Sequence, residues 1–248
     1  MVTAPAAADA AARARRLTSL RVGLHLVLID GSPVLPPEQL GGLVRRNGRF
    51  DDHQLRAGLR FFLMPGARRR LAAEIRAQFE AFHATGLTLD HVNAHKHMHL
   101  HPTVARLVVE IGRDYGLRAV RLPAEPKAPL RRAFPGERLP ARPPGFAVAA
   151  LRRRLRQAGL ATNDQVFGIA WSGAMVESRI LGLLPYLPAG VSELYCHPAT
   201  ERTPELAAAM PGYRNPEELA ALLSPRVKRR IEELRIGLVS YGDLAAPG

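Results

Sequence analysis

At 248 residues the chain can bury a substantial core, and one α/β domain over residues 1–248 is the default at this size. No apolar run reaches the roughly 20 residues of a membrane-spanning helix, and a single cysteine, Cys196, excludes a disulfide framework and fits a reducing, cytoplasmic setting. The net charge of +13 rests on arginine, with only three lysines among 35 basic residues, and no nucleic-acid-binding module accompanies it. Nucleic acid is therefore not expected as a partner, whereas an anionic membrane surface and a second copy of the chain are compatible with the composition.

Met1 to Ala12 lacks the basic start and apolar core of a signal peptide, and the Ala- and Arg-rich stretch to Arg16 reads as a surface helix. Leu20 to Ile29 is an apolar, β-prone run stopped by Asp30-Gly31-Ser32-Pro33, a buried strand and its turn. Leu71, Ile75, Phe79 and Phe82 recur at helical spacing over 67–85, with Gly86 as the stop. A short strand, Thr88 to Asn93, leads into a histidine run. Pro102 then opens a helix carrying Val104, Leu107, Val108 and Ile111 on one side, with Gly116 beyond its end.

Leu117 to Leu122 is a further strand, and 123–145, rich in proline and arginine, an irregular excursion. A helix near 146–158, a strand near 165–171, a helix near 175–185 and a strand from Val191 to Cys196 follow. Two helices and a β-like piece, Ile236 to Tyr241, complete the pattern. Strands alternating with helices predict a mostly parallel sheet, in which chemistry sits at the carboxyl ends of the strands. His25, the histidine run and His197 all fall at such ends.

His91, His95, His97, His99 and His101 occupy odd positions, as does Asn93, so in extended conformation their side chains share one face. Several imidazoles converging there repel one another if protonated, and a divalent cation bound by neutral rings removes the conflict. One or two are expected to bind metal and the others to orient them; a solvated histidine-rich turn is the plainer alternative. His25 in Gly23-Leu24-His25 and His197 in Tyr195-Cys196-His197-Pro198 can each be a core histidine or a functional one. Cys196 points away from His197 on an extended strand and reads as a buried structural thiol.

Together these segments resemble the YdjC-like carbohydrate deacetylase family. Its Gly-x-His, Asp-Ser-His-x-His-x-His and His-Pro segments correspond to Gly23-Leu24-His25, to Asn93-Ala94-His95-Lys96-His97-Met98-His99 and to His197-Pro198. The resemblance implies a β/α barrel of the glycoside hydrolase/deacetylase type with metal ligands at His25 and His95. His91, His97 and His99 would then support them, with magnesium or a similar divalent ion as cofactor; zinc, cobalt, nickel and manganese also suit histidines plus a carboxylate. His91-Val92-Asn93-Ala94-His95, Val120-Arg121-Leu122-Pro123, Trp171-Ser172-Gly173-Ala174-Met175 and Glu193 to Pro198 are similar to the branch associated with hopanoid biosynthesis. That implies N-deacetylation of an N-acetylglucosaminyl hopanoid.

In that reading His197 protonates the leaving amine. Arg121 steadies a sugar hydroxyl or the developing oxyanion, or is a solvated strand-end arginine. Trp171 stacks on a sugar ring, or packs in the core. The family pattern also calls for a first strand ending in Asp-Asp-Phe-Gly, with a metal-binding aspartate and a general base. No such segment occurs in these residues. The expectation is an N-terminally incomplete barrel, short of one βα unit of about 30–40 residues through a start codon placed too late or a genuine loss, with weak or no activity. Competing readings are another His-x-His metallohydrolase of the amidohydrolase or phosphoesterase type, and a non-catalytic binding or scaffold protein.

Overall fold

The computed structural model of the protein describes residues 1–245. In chain order its elements are α1 (Ala7–Arg16), β1 (Val22–Leu26), α2 (Pro37–Leu40), α3 (Gln54–Leu63), α4 (Ala67–His83), β2 (Leu89–Ala94), α5 (Pro102–Gly112), α6 (Lys127–Ala133), α7 (Gly145–Gln157), β3 (Gln165–Phe167), α8 (Glu177–Leu183), β4 (Ser192–Leu194), α9 (Pro204–Ala209), α10 (Asn215–Leu223), α11 (Pro225–Glu233) and α12 (Tyr241–Leu244). They form two compact units. The first holds Met1–Arg121, Phe146–Thr162 and the stretch from Ser240; the second holds Leu122–Gly145 and Asn163–Val239. The mixed α/β class is as the sequence predicts.

In the first unit β1 and β2 run parallel, with His25 opposite Asn93 and Leu26 opposite Ala94. Val120 bridges Val92, and Ala119 bridges Ala161, both in parallel sense. Leu24, Leu26 and Val92 are fully buried, as a strand covered on both faces requires. The register shifts between Val22 and Leu24. A Cβ on the intervening Gly23 would lie 2.6 Å from His91 Cε1, so the glycine permits the His91 ring to cross β1 closely.

α4 covers this sheet with Leu71, Ile75 and Phe79 and packs on α5, which supplies Val104, Leu107 and Val108. The apolar run expected to stay extended to Ile29 leaves the sheet at Val27. There Gln78 of α4 replaces a strand partner, accepting from Val27 N at 2.9 Å and donating to Val27 O at 2.7 Å. Leu117 to Leu122 likewise contributes bridges instead of a full strand.

In the second unit β3 and β4 pair in parallel, Val166 opposite Glu193 and Phe167 opposite Leu194. Leu130, Phe167, Trp171, Met175, Ile180 and Leu183 form its core. Leu130 comes from α6, so the stretch 123–145 is less irregular than its prolines suggest. The strands expected near 165–171 and 191–196 are only three residues each, and Ile236 to Tyr241 forms no strand. Three helices, α9 to α11, stand where two are predicted.

Candidate metal and active site

The histidine run does not form one extended face. β2 ends at Ala94, and His95–Leu100 coils into a tight helical turn in which Lys96 (φ 48°) and His97 (φ 55°) are left-handed. Only His91 and Asn93 keep the alternation of the strand; His95, His97 and His99 are redirected by the turn. Left-handed non-glycine residues cost energy and tend to gather at functional sites. Lys96 is held by two contacts, Nζ to Asp30 Oδ2 at 2.6 Å and its carbonyl accepting from Gln54 Nε2 at 2.8 Å.

The turn brings His95 to His25, with ring centroids 5.7 Å apart and planes at 70°. Burial pushes the His25 pKa down to about 3. It also lowers His95, aided by the Lys96 charge and opposed by Asp30. Both rings are thus neutral at physiological pH, the form that ligates a cation. His99 is fully buried and held neutral for the same reason, its Nε2 donating to the Arg121 carbonyl at 3.0 Å. His97 lies with its ring centroid 6.1 Å from that of His99.

Asn93 is the hub of the cluster. With Oδ1 turned to the Arg121 guanidinium it accepts from Nη2 and Nη1 at 3.2 and 3.3 Å and faces His91 Nε2 at 3.2 Å, while Nδ2 donates to His25 Nδ1. In the opposite orientation His25 Nδ1–H donates to Oδ1, and Nδ2 donates to His91 Nε2 at 3.2 Å. The first arrangement leaves a proton on His25 Nε2; the second leaves that nitrogen with a lone pair for a ligand. His91 gives its Nδ1–H to Asp90 Oδ2 at 2.9 Å, and when neutral it favours the second. Arg121 favours the first. The amide therefore selects the tautomer of His25.

His25 and His95 fit as two ligands of a borderline divalent ion. Among the described residues, no group of three or more His, Cys, Asp or Glu side chains completes a larger set. Asp51 and Asp52, an Asp-Asp pair, are engaged elsewhere: Arg56 and Arg60 hold Asp51 at 2.5 and 3.1 Å, and Arg45 holds both aspartates.

In the second unit His197 follows β4. Its Nε2 is 2.8 Å from the Tyr195 hydroxyl, its backbone N–H donates to Glu218 Oε2 at 2.6 Å, and its carbonyl accepts from Asn215 Nδ2 at 2.7 Å. Glu218 is buried on α10 and also accepts from Met175 N at 2.8 Å. Cys196 is half-buried where a buried thiol is expected, and desolvation pushes its thiol up to about 12, which keeps it neutral. Trp171 departs from the sugar-stacking expectation. It is 7 % exposed, with the Arg179 guanidinium 4.4 Å from its ring and Phe134 in a T-shaped contact at 4.9 Å, which is the core-packing alternative.

Three contributors escape the sequence reading. Asp30 reads only as a turn residue, yet its left-handed backbone (φ 48°) presents its carboxylate to Lys96. Glu218 sits in an ordinary helical pattern. Asp90 reads as part of a short strand, yet it fixes His91 and accepts from Gly242 N at 2.8 Å, a contact 152 positions away in the chain. No local signal distinguishes any of the three.

A family model described as YdjC-like protein matches residues 1–233. A protein named carbohydrate deacetylase from Geobacillus stearothermophilus is 29 % identical over 245 residues, covering 98 % of this chain and 84 % of the relative. Another of that name from Mus musculus is 29 % identical over 265 residues, covering 96 % and 82 %. A crystal structure from Enterococcus faecalis V583, provisionally described as a cellobiose-phosphate cleavage protein, superposes with a TM-score of 0.76 at 24 % identity. That match covers 99 % of this chain and 86 % of the other, a likeness of fold.

Proposed function

Because the chain belongs to the YdjC-like protein family, we propose that it is a carbohydrate N-deacetylase acting on an N-acetylglucosamine-containing substrate. The observation that carries the reading is the His25–His95 pair: two imidazoles from separate segments, both kept neutral by burial, with ring centroids 5.7 Å apart. The reading takes the scaffold to be a β/α barrel of the deacetylase type. The names of the relatives support the reaction class, and the likenesses from His91 to Pro198 support a glycolipid, N-acetylglucosaminyl hopanoid, as the substrate. Such a substrate places the enzyme beside a membrane on its cytoplasmic side.

In the reaction water adds to the acetyl carbonyl carbon and the C–N bond breaks. One proton leaves the water and one arrives on the nitrogen, giving a free amine and acetic acid, which ionises to acetate with release of its proton. A divalent cation, magnesium or a transition metal, held by His25 and His95 would supply Lewis-acid polarisation of the acetyl group. With its Nδ2 given to His91, which Asp90 braces, Asn93 would select the His25 tautomer that leaves Nε2 free. Arg121, buried beside Asn93, contributes fixed positive charge for the developing oxyanion. The family resemblance assigns the role of proton donor to the departing amine to His197, which its own unit anchors through Glu218 and hydrogen-bonds to Tyr195. Removal of the water proton is assigned to no described residue.

The test is acetate release from N-acetylglucosaminyl substrates, with free amine counted alongside. Equal yields of acetate and amine, lost on chelation and regained on adding a divalent ion, support the reading. Turnover of phosphoesters without acetate release favours a phosphoesterase instead. Absence of turnover on either class leaves a binding protein.

A further inference from the structure

We propose that α3 is a membrane-docking element that inserts its exposed apolar stripe into an anionic phospholipid surface beside the histidine site. α3 faces solvent with Leu55 (75 % exposed), Leu59 (58 %), Phe62 (60 %) and Leu63 (75 %). At 3.6 residues per turn these four fall within an arc of about 100°, with Arg56 and Arg60 along its flank. The opposite side is anchored, since Ala57 and Phe61 are buried in the first unit. A helix that buries only two of its ten residues while presenting two leucines and a Phe-Leu pair to water has an apolar face on which, among the described residues, only Phe62 meets a ring, that of His101.

Charge identifies the partner. Residues 54–70 carry five arginines (Arg56, Arg60, Arg68, Arg69 and Arg70) and no acidic residue. Asp51 and Asp52 partly neutralise Arg56 and Arg60. Arg68 and Arg69 are exposed at the start of α4, just past Met64 and Pro65. Leucine and phenylalanine on one face with arginine beside them is the pattern of a helix lying at the headgroup boundary of an anionic bilayer. The same charge disfavours self-association, because a twofold dimer through this face would set like, only partly neutralised, positive charge against itself.

α3 is also tied to the site. Gln54 at its start donates to the Lys96 carbonyl of the histidine turn at 2.8 Å, and the Phe62 ring lies 4.2 Å from the ring of His101 at the end of that turn. Docking at α3 therefore brings the histidine turn close to the lipid headgroups. That consequence rests on the deacetylase reading, whereas the docking itself is measured without turnover.

The experiment is co-sedimentation of the protein with vesicles of phosphatidylcholine alone and of phosphatidylcholine with phosphatidylglycerol. The wild type and a Leu55→Ser/Leu59→Ser double variant are compared, with melting temperature as the check on folding. Binding to the anionic vesicles, weakened by salt and reduced at least about tenfold in the double variant, is expected. Phe62→Trp supplies a direct reading in an otherwise intact stripe: its emission should shift to the blue on anionic vesicles. No binding to anionic vesicles, equal binding by a folded double variant, or no spectral shift at Phe62→Trp overturns the proposal. So does a concentration-dependent dimer that the double variant abolishes, since the stripe would then be a self-interface. Vesicle binding without acetate release leaves the docking standing and removes only the deacetylase reading.

Discussion

The two units treat their functional histidines differently. In the first, His25, His95 and His99 are held neutral by desolvation, and the polar groups around them are an amide, a guanidinium, further imidazoles and, at His95, the Lys96–Asp30 ion pair. In the second, His197, half-buried as His25 and His95 are, shares a hydrogen bond with a tyrosine hydroxyl and is fixed through its own backbone to the buried carboxylate of Glu218. Neutral imidazoles are suited to ligation, whereas a histidine within reach of a hydroxyl is suited to passing a proton. Residue type alone does not separate these roles; the surroundings do.

The largest effect expected from breaking this contrast is at His95. His95→Ala should lower kcat/KM for acetate release by about 10²–10⁴-fold, with melting temperature little changed because the ring is only half-buried. An unchanged kcat/KM would detach the first unit's cluster from the chemistry. Trp171 gives the counterpart in the second unit. Trp171→Ala should cost about 3–5 kcal/mol of stability by denaturant titration, as for a large aromatic lost from a core. A Trp171→Phe variant that keeps the fold should leave KM unchanged, whereas a raised KM with full stability would restore the sugar-stacking role.

Asn93→Asp sharpens the first unit's half of the comparison. A carboxylate there accepts from His25 Nδ1–H and from Arg121 together, which removes the conflict over the amide and locks the ligating tautomer. Divalent-ion affinity should rise about tenfold by calorimetry; a fall would show that Asn93 does not set the His25 tautomer. The smallest expected effect concerns pH. Burial holds the His99 pKa well below 6.5, so below pH 6.5 the unfolded chain takes up a proton that the folded ring refuses. The stability tied to His99 is complete above 6.5 and is lost progressively as the pH falls. His99→Gln keeps a donor for the Arg121 carbonyl and removes the titration. Its melting temperature should therefore fall less steeply between neutrality and about pH 5 than that of the wild type.

Much of the first unit is legible in the sequence. α4 and α5 follow from Leu71, Ile75, Phe79 and from Pro102, Val104, Val108, because helical spacing and a proline at the first turn act locally. The convergence of His25 and His95 is also legible, though only through the resemblance of whole motifs, since nothing in Val22 to Val27 alone marks a ligand. The odd-position rule fails at Lys96 and His97, because it presumes an extended chain and their left-handed turn is fixed by Asp30 and Gln54, each more than 40 positions away. Trp171 and Glu218 likewise depend on partners from other elements, Phe134 and Arg179 for one and His197 for the other. α3 falls in a stretch whose arginines mask the apolar spacing.

The most direct measurement is a divalent-cation titration, followed by the visible spectrum of bound cobalt, on the wild type and on His25→Ala and His95→Ala. One equivalent bound by the wild type, and bound by neither single variant, is the predicted result. A cobalt spectrum that survives unchanged in either variant would contradict a cation shared by these two imidazoles.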